Sequence, residues 1–160
     1  METQLRKFKV DVLTEEHFDW FVDVAAVRML SEELKRPDLV NKQALKALSL
    51  KTMKDGTSFV VTCYGVPVGA LGSFLTPNLY NPDLTILLEL FWYVLPEYRA
   101  TRAGALLFKA FDDKAQSCAD ESVLSLLPHS EINLSTLAKK GYNMEELCLR
   151  KQCKGSVWDF

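Results

Sequence analysis

The stretch ILLELFWYVLPEYRATRAGALLF, residues Ile86 to Phe108, decides the fold. Its first part, Ile86 to Leu95, is apolar on both faces and carries one charge, Glu89. Such a run is too short to span a bilayer and reads as a central strand, here Leu84 to Leu95. Pro96 closes the strand. Two arginines, Arg99 and Arg102, and then Gly104 lead into ALLFKAFDDKAQSCA, where Leu107, Ala110, Phe111, Ala115 and Cys118 recur at helical spacing. A strand running straight into a helix leaves backbone N–H groups unpaired at the helix start. With the helix dipole these groups form an anion site. Gly104 lets a ligand approach the backbone, and two guanidinium groups suit phosphate. From the residues alone, a solvent-exposed turn with two ordinary arginines remains open.

Outward from this junction the chain alternates strands and helices. Phe8 to Leu13 alternates apolar and polar as a half-buried strand. Thr14 is placed to cap a helix that runs to Leu34 and ends at Arg36-Pro37. Asn41 caps a second helix that stops before Asp55-Gly56. Ser58 to Tyr64 and Val68 to Leu75 form a hairpin around Gly65-Val66-Pro67, followed by a Pro- and Asn-rich loop, Thr76 to Asp83. Beyond the central helix, Ser122 to Leu127 reads as a short buried strand. Ser130 is placed to cap a helix ending at Gly141, and Tyr142 to Cys153 as one more strand. The order β-α-α-β-β-β-α-β-α-β predicts an α/β (α+β) domain over residues 1–160, a mixed sheet with helices on both sides. The segment on either side of the junction is a parallel crossover.

The 160 residues, 48% hydrophobic and 25% charged, fit one soluble domain with a real core. A net charge of −2 gives no general nucleic-acid footprint. The N-terminus lacks an apolar signal region, so the expected location is cytoplasmic, with no membrane partner. Four cysteines without a C-x-x-C pair and two histidines, His17 and His129, argue against a metal site and read as free buried thiols and solvated imidazoles. The motifs G-x-x-x-x-G-K-[ST] and G-x-G-x-x-G are absent, which removes the P-loop and the dinucleotide fingerprint.

The run Val94-Leu95-Pro96-Glu97-Tyr98-Arg99-Ala100-Thr101-Arg102-Ala103-Gly104-Ala105-Leu106-Leu107 resembles motif A of the GCN5-related N-acetyltransferases (GNAT), V-x-P-x-Y-R-G-x-G-x-G/A-x-x-L-L. Within its core, (Q/R)-x-x-G-x-(G/A), Arg99 matches the first position and Gly104 the last. Arg102 departs from the central glycine, and Ala100 from the glycine frequent after the arginine. Lys140-Gly141-Tyr142 is similar to the end of the family's last helix, and ELFWYVLPEYR also resembles small acetyltransferase-like proteins of tailed phages. The likeness is specific over Glu89 to Leu107 and generic elsewhere.

The resemblance implies a mostly antiparallel sheet whose splayed central strands form a cleft for acetyl-CoA, the acyl donor. Phe91, Trp92, Tyr93 and Val94 would pair with its pantetheine through their backbone. The N–H groups of Arg99, Ala100, Thr101, Arg102, Ala103, Gly104 and Ala105 would hold its pyrophosphate, and Ser130 falls where the family often has an Asn touching the cofactor. The acceptor is an amine, from a small molecule or a protein. Glu89 is the candidate general base, since burial would raise its pKa toward neutrality; pairing with a nearby Arg or Lys is the plain alternative. The family's acidic tyrosine falls on Leu137, which leaves Tyr142 or Tyr93 as substitutes. Trp20, Phe21 and Trp92 are candidates to line an acceptor pocket, core packing being the alternative. A catalytically silent member that binds acyl-CoA or a protein partner stays open, as does a homodimer.

Overall fold

The computed structural model describes residues 7–151 and residue 153. Residue contacts divide the chain into two compact units, Met1–Leu127 and Pro128–Phe160. The first holds a five-stranded sheet in sequence order: β1 (Phe8–Val12), β2 (Phe59–Cys63), β3 (Val66–Pro77), β4 (Thr85–Val94) and β5 (Glu121–Val123). Pairs β1–β2, β2–β3 and β3–β4 are antiparallel, and β4–β5 is parallel across the helix α3 (Ala103–Cys118). The sheet is therefore mixed and mostly antiparallel, as the sequence predicts.

Adjacent strand residues point to opposite faces, and this fixes the layers. Phe91 meets Phe21 at a ring separation of 5.0 Å. Its neighbour Trp92 stacks on Phe108 of α3 at 5.9 Å. The N-terminal helices thus cover one face and α3 the other. On α3 a single stripe, Ala103, Leu107, Phe111 and Ala115, is buried at a spacing of four. The opposite core is built from Leu13, Phe21, Val22, Ala25, Phe91 and Tyr93, among others.

The first helix starts as α1 (Glu15–Trp20) and continues through wider π-type turns at Phe21–Ala26 and Met29–Glu33. Thr14 stands at its N-terminal cap, but its side chain makes no capping bond. Asn41 does cap α2 (Lys42–Lys54), accepting the Ala44 N–H at 3.0 Å. Gly56, with φ of +66°, ends it. The hairpin turn falls on Tyr64 and Gly65, with φ of +50° and +82°, so Val66 and Pro67 belong to β3 rather than to the turn.

In the second unit, α4 spans Leu134–Lys139. Its cap is Asn133, which accepts the Ser135 N–H, and not Ser130. Gly141, at φ of +90°, stops it as predicted. The strand expected over Tyr142 to Cys153 is not found among the described residues, and Gln152 lies outside them. Leu147 and Leu149 point into solvent, so no sheet face receives their alternating pattern. The other shortfall is β5, which covers Glu121–Val123 instead of Ser122 to Leu127. Among the described residues no helix is long and apolar enough to cross a membrane, and no group of side chains could hold a metal ion. Of the four free cysteines only Cys63 is buried, whereas Cys148 and Cys153 are exposed.

Candidate active site

The site is built where β4 and β5 part. They pair only at Ile86 with Glu121, Leu87 with Ser122 and Leu88 with Val123. From Glu89 onward β4 continues to Val94 with β3 as its strand partner. The β3 register passes from Ser73 opposite Glu89 to Gly72 opposite Phe91, so Leu90 is an extra, unpaired residue. This is a β-bulge, and it sits one residue beyond the sole charge of the strand. Gly72 permits it, because a Cβ there would stand 2.8 Å from the Phe91 ring.

Glu89 is 6% exposed. Among the described residues it has no ion-pair partner, which removes pairing with a lysine or arginine as the reason for its burial. Its carboxylate accepts one hydrogen bond, from the Ser125 N–H at 3.1 Å, just past the end of β5. Burial penalises the charged form and pushes the carboxyl up to about 7, and the Ser125 bond only partly opposes this. The group titrates near neutrality, as a general base requires.

The junction after β4 has the free N–H groups that its sequence predicts, but not all of them. The Arg99 N–H donates to Pro96 O, the Thr101 N–H to Tyr98 O and the Ala103 N–H to the Thr101 hydroxyl. Those three already donate within the protein. Among the described residues the N–H groups of Ala100, Arg102, Gly104 and Ala105 meet no acceptor. They ring the N-terminus of a sixteen-residue helix. A side-chain Cβ at Gly104 would find its nearest atoms at 3.8 Å, on Trp92, so packing does not require glycine there. Close approach by a ligand remains the reason that the position can exploit.

The two arginines divide their work. The Arg99 guanidinium is engaged within the protein. Its Nε donates to Val94 O at 2.9 Å, its Nη2 to the Glu33 carboxylate, and its charge lies 5.6 Å over the Tyr93 ring. It clamps the end of β4 against the helix above. Arg102 is exposed and has no partner among the described residues. Its backbone, at φ −76° and ψ 1°, is one that any residue adopts. The arginine in place of the motif glycine therefore causes no strain, and Ala100 has no positive φ either.

The remaining expected residues separate by location. Tyr93 is buried to 1% exposure and its hydroxyl has no hydrogen-bond partner. Arg28 lies near enough for that oxygen to raise the guanidinium pKa further, though the pair falls short of hydrogen-bond geometry. Trp92 packs on α3 and Trp20 against the N-terminal core, whereas Phe21 lines a pocket between the first helix, α2 and β4. Ser130, in the second unit, accepts the Ile132 N–H at 3.3 Å. Tyr142, also in that unit, is half-buried, and its N–H donates to Leu137 O. Leu137 itself is buried. Sequence reading missed the Ser125 N–H, since a backbone donor leaves no mark in the side-chain pattern.

No family model matches the sequence, and no curated protein sequence matches it significantly. Solved structures do. The aminoglycoside N-acetyltransferase AAC(6')-Iy, in complex with CoA, aligns with a TM-score of 0.66 at 13% identity, covering 96% of this chain and 99% of that one. An acetyltransferase of Trypanosoma brucei aligns at 0.63 and 18% identity, covering 91% and 99%. A Bacillus halodurans protein described as a transcriptional regulator aligns at 0.69 and 16% identity, also covering 91% and 99%. The chain has the GCN5-related N-acetyltransferase fold.

Proposed function

We propose that this chain is an acetyl-CoA-dependent N-acetyltransferase, with Glu89 as the general base for a primary amine. The observation that carries the reading is the buried, unpaired Glu89 carboxylate, raised to about 7, at the point where β4 and β5 separate. The free N–H groups of Ala100, Arg102, Gly104 and Ala105 fit a pyrophosphate, and the β5-facing edge of Phe91 to Val94 fits the amides of a pantetheine. Acetyl-CoA, when bound, supplies the activated acetyl thioester. The likeness to a CoA complex supports this ligand.

An alkylammonium has a pKa of about 10.4 and must lose a proton before it can attack. Glu89, ionised above about pH 7, accepts that proton. Taking it neutralises a buried charge, which favours the transfer. Tyr142 is our candidate for returning a proton to the departing sulfur. A thiol pKa of about 8.5 makes the thiolate a tolerable leaving group without it. The direct test mixes protein, acetyl-CoA and an amine panel and follows free thiol. Release that is lost in Glu89→Gln, with CoA affinity unchanged, supports the reading. Failure to bind CoA at all would end it.

The second reading is a catalytically silent protein of this fold. Buried Leu137, at the position where the family carries its acidic tyrosine, favours it, as does the likeness to a protein described as a transcriptional regulator. CoA binding without thiol release from any amine of the panel would select it. The aminoglycoside enzymes of the same fold suggest a polycationic acceptor, but no acidic side chain lines the pocket beside β4 here.

A further inference from the structure

β1 ends the sheet, and among the described residues no strand lies beyond it. The phase of its pairing with β2 is fixed at both ends. The Tyr64 N–H donates to Lys7 O, and the Leu13 N–H donates to Ser58 O. Bonded positions alternate along an antiparallel pair, so Lys9, opposite Thr62, and Asp11, opposite Val60, also bond inward to β2. The N–H and C=O groups of Phe8, Val10 and Val12 therefore face outward along a free edge. Such a row is a template for another strand. The side chains alternate as well. Lys9 and Asp11 share one face and pair with each other at 3.1 Å, both well exposed. Val10 and Val12 share the other face, where they line an open groove against Ala110 and Lys114 of α3. Val12 is 45% exposed, so much of its apolar surface is uncovered.

Charges on an edge strand blunt it against pairing in general. Their order here favours one partner, a second copy of the same strand. A two-fold antiparallel pair that bonds the outward groups can be centred on Lys9, Val10 or Asp11. Centred on Lys9 or on Asp11, it sets like charges directly opposite each other, which is destabilising. Centred on Val10, it sets Lys9 opposite Asp11 of the second copy, and Asp11 opposite the second copy's Lys9. The four charges then alternate in sign. The same register sets Phe8 opposite Val12 and Val10 opposite Val10 on the apolar face, and each of these residues exchanges both backbone bonds with the one it faces. We propose that β1 is a self-recognition edge, through which two copies of the chain join antiparallel, Val10 on Val10, into one continuous sheet. The proposal does not depend on the acetyltransferase reading, since Glu89 lies on β4, with β2 and β3 between it and this edge.

Sedimentation velocity of the full chain, from micromolar to near-millimolar concentration, should show monomer passing to dimer and nothing larger. Lys9→Glu makes both edge charges negative, and Asp11→Lys makes both positive. Each variant alone should weaken self-association by at least about tenfold, because two attractive pairs become repulsive. An equimolar mixture of the two variants should restore the dimer, because opposite charges then face each other. Amide hydrogen exchange of the parent chain supplies a reading that needs no variant. The amides of Phe8, Val10 and Val12 should exchange quickly in dilute protein and slow down as the dimer forms, whereas those of Lys9 and Asp11 should be protected throughout. A chain that stays monomeric at every concentration overturns the proposal. So does a dimer that both variants leave intact, or one that forms without slowing the Val10 amide. Variants that separate the copies but do not rejoin on mixing overturn the Val10-centred register. The exchange measurement alone decides the matter should either variant fold poorly.

Discussion

The Ser125 N–H donates to the Glu89 carboxylate at 3.1 Å, across the opening left where β5 stops pairing with β4. One hydrogen bond does not offset the burial of a charge, so the carboxyl is pushed up to about 7. In turnover this predicts a rate that rises with pH and levels off above an apparent pKa near that value. Glu89→Gln keeps the shape and the acceptor for Ser125 but cannot take a proton. It should lower kcat by roughly 10²- to 10⁴-fold and flatten the rising limb. CoA affinity, measured by calorimetry, should stay where it is. An unchanged pH profile in the variant would remove Glu89 from the reaction.

The same residue should govern stability in the opposite sense. Its folded pKa lies above the ordinary carboxyl value of 4.5, so the folded chain holds a proton that the unfolded chain releases. Its effect on stability is therefore most favourable at low pH, and stability declines as pH climbs from 4.5 through about 7. The charged form would destabilise the protein by about 3 kcal/mol at pH 8. Glu89→Gln should then be more stable than the parent at pH 8 and lose that advantage by pH 5. Urea denaturation at the two pH values measures the difference. An inactive variant that is also a stabilised one marks a group kept for its chemistry.

Much of this site is legible in the residues, and the limits have physical causes. A lone glutamate in an apolar strand announces its own burial. The Pro96 to Gly104 junction announces a helix start with spare N–H groups, and Asn41, Gly56 and Gly141 mark boundaries through their capping and positive-φ chemistry. The bulge at Leu90 is invisible because ILLELFWYV has no apolar–polar alternation for an extra residue to break. Its cause lies on another strand, at Gly72. Ser130 and Asn133 are equally good caps on paper, and only the backbone path chooses between them. Arg99 and Arg102 look alike in the motif, yet Glu33 and Val94, distant in sequence or hidden in backbone, claim the first and leave the second to solvent.

Gly72 sets the register that places Leu90 and Phe91. A Cβ at this position would meet the Phe91 ring at 2.8 Å and Phe21 at 3.3 Å, two side chains packed into the core. Neither is free to move, since they also pack on each other. Gly72→Ala should destabilise the protein by about 1–3 kcal/mol through overpacking. A thermal melt reads the loss. Gly104→Ala is the matched control, because its nearest neighbours stand at 3.8 Å and the melt should not move.

Gly104→Ala and Arg102→Gly then separate the two ways in which the junction could grip a phosphate. Gly104 contributes close backbone approach, and a methyl group there costs the protein nothing but crowds a ligand on the Gly104 and Ala105 N–H groups. Arg102 contributes an unpaired charge on a backbone that does not need glycine. Both variants should keep the melting temperature of the parent. Gly104→Ala should weaken CoA binding by about tenfold, and the loss should persist at high salt, because crowding is not screened. Arg102→Gly should weaken it by several-fold at low salt, with the difference fading as the ionic strength approaches 1 M. Tighter binding by Arg102→Gly would show that the arginine obstructs the site instead of helping to hold the phosphate.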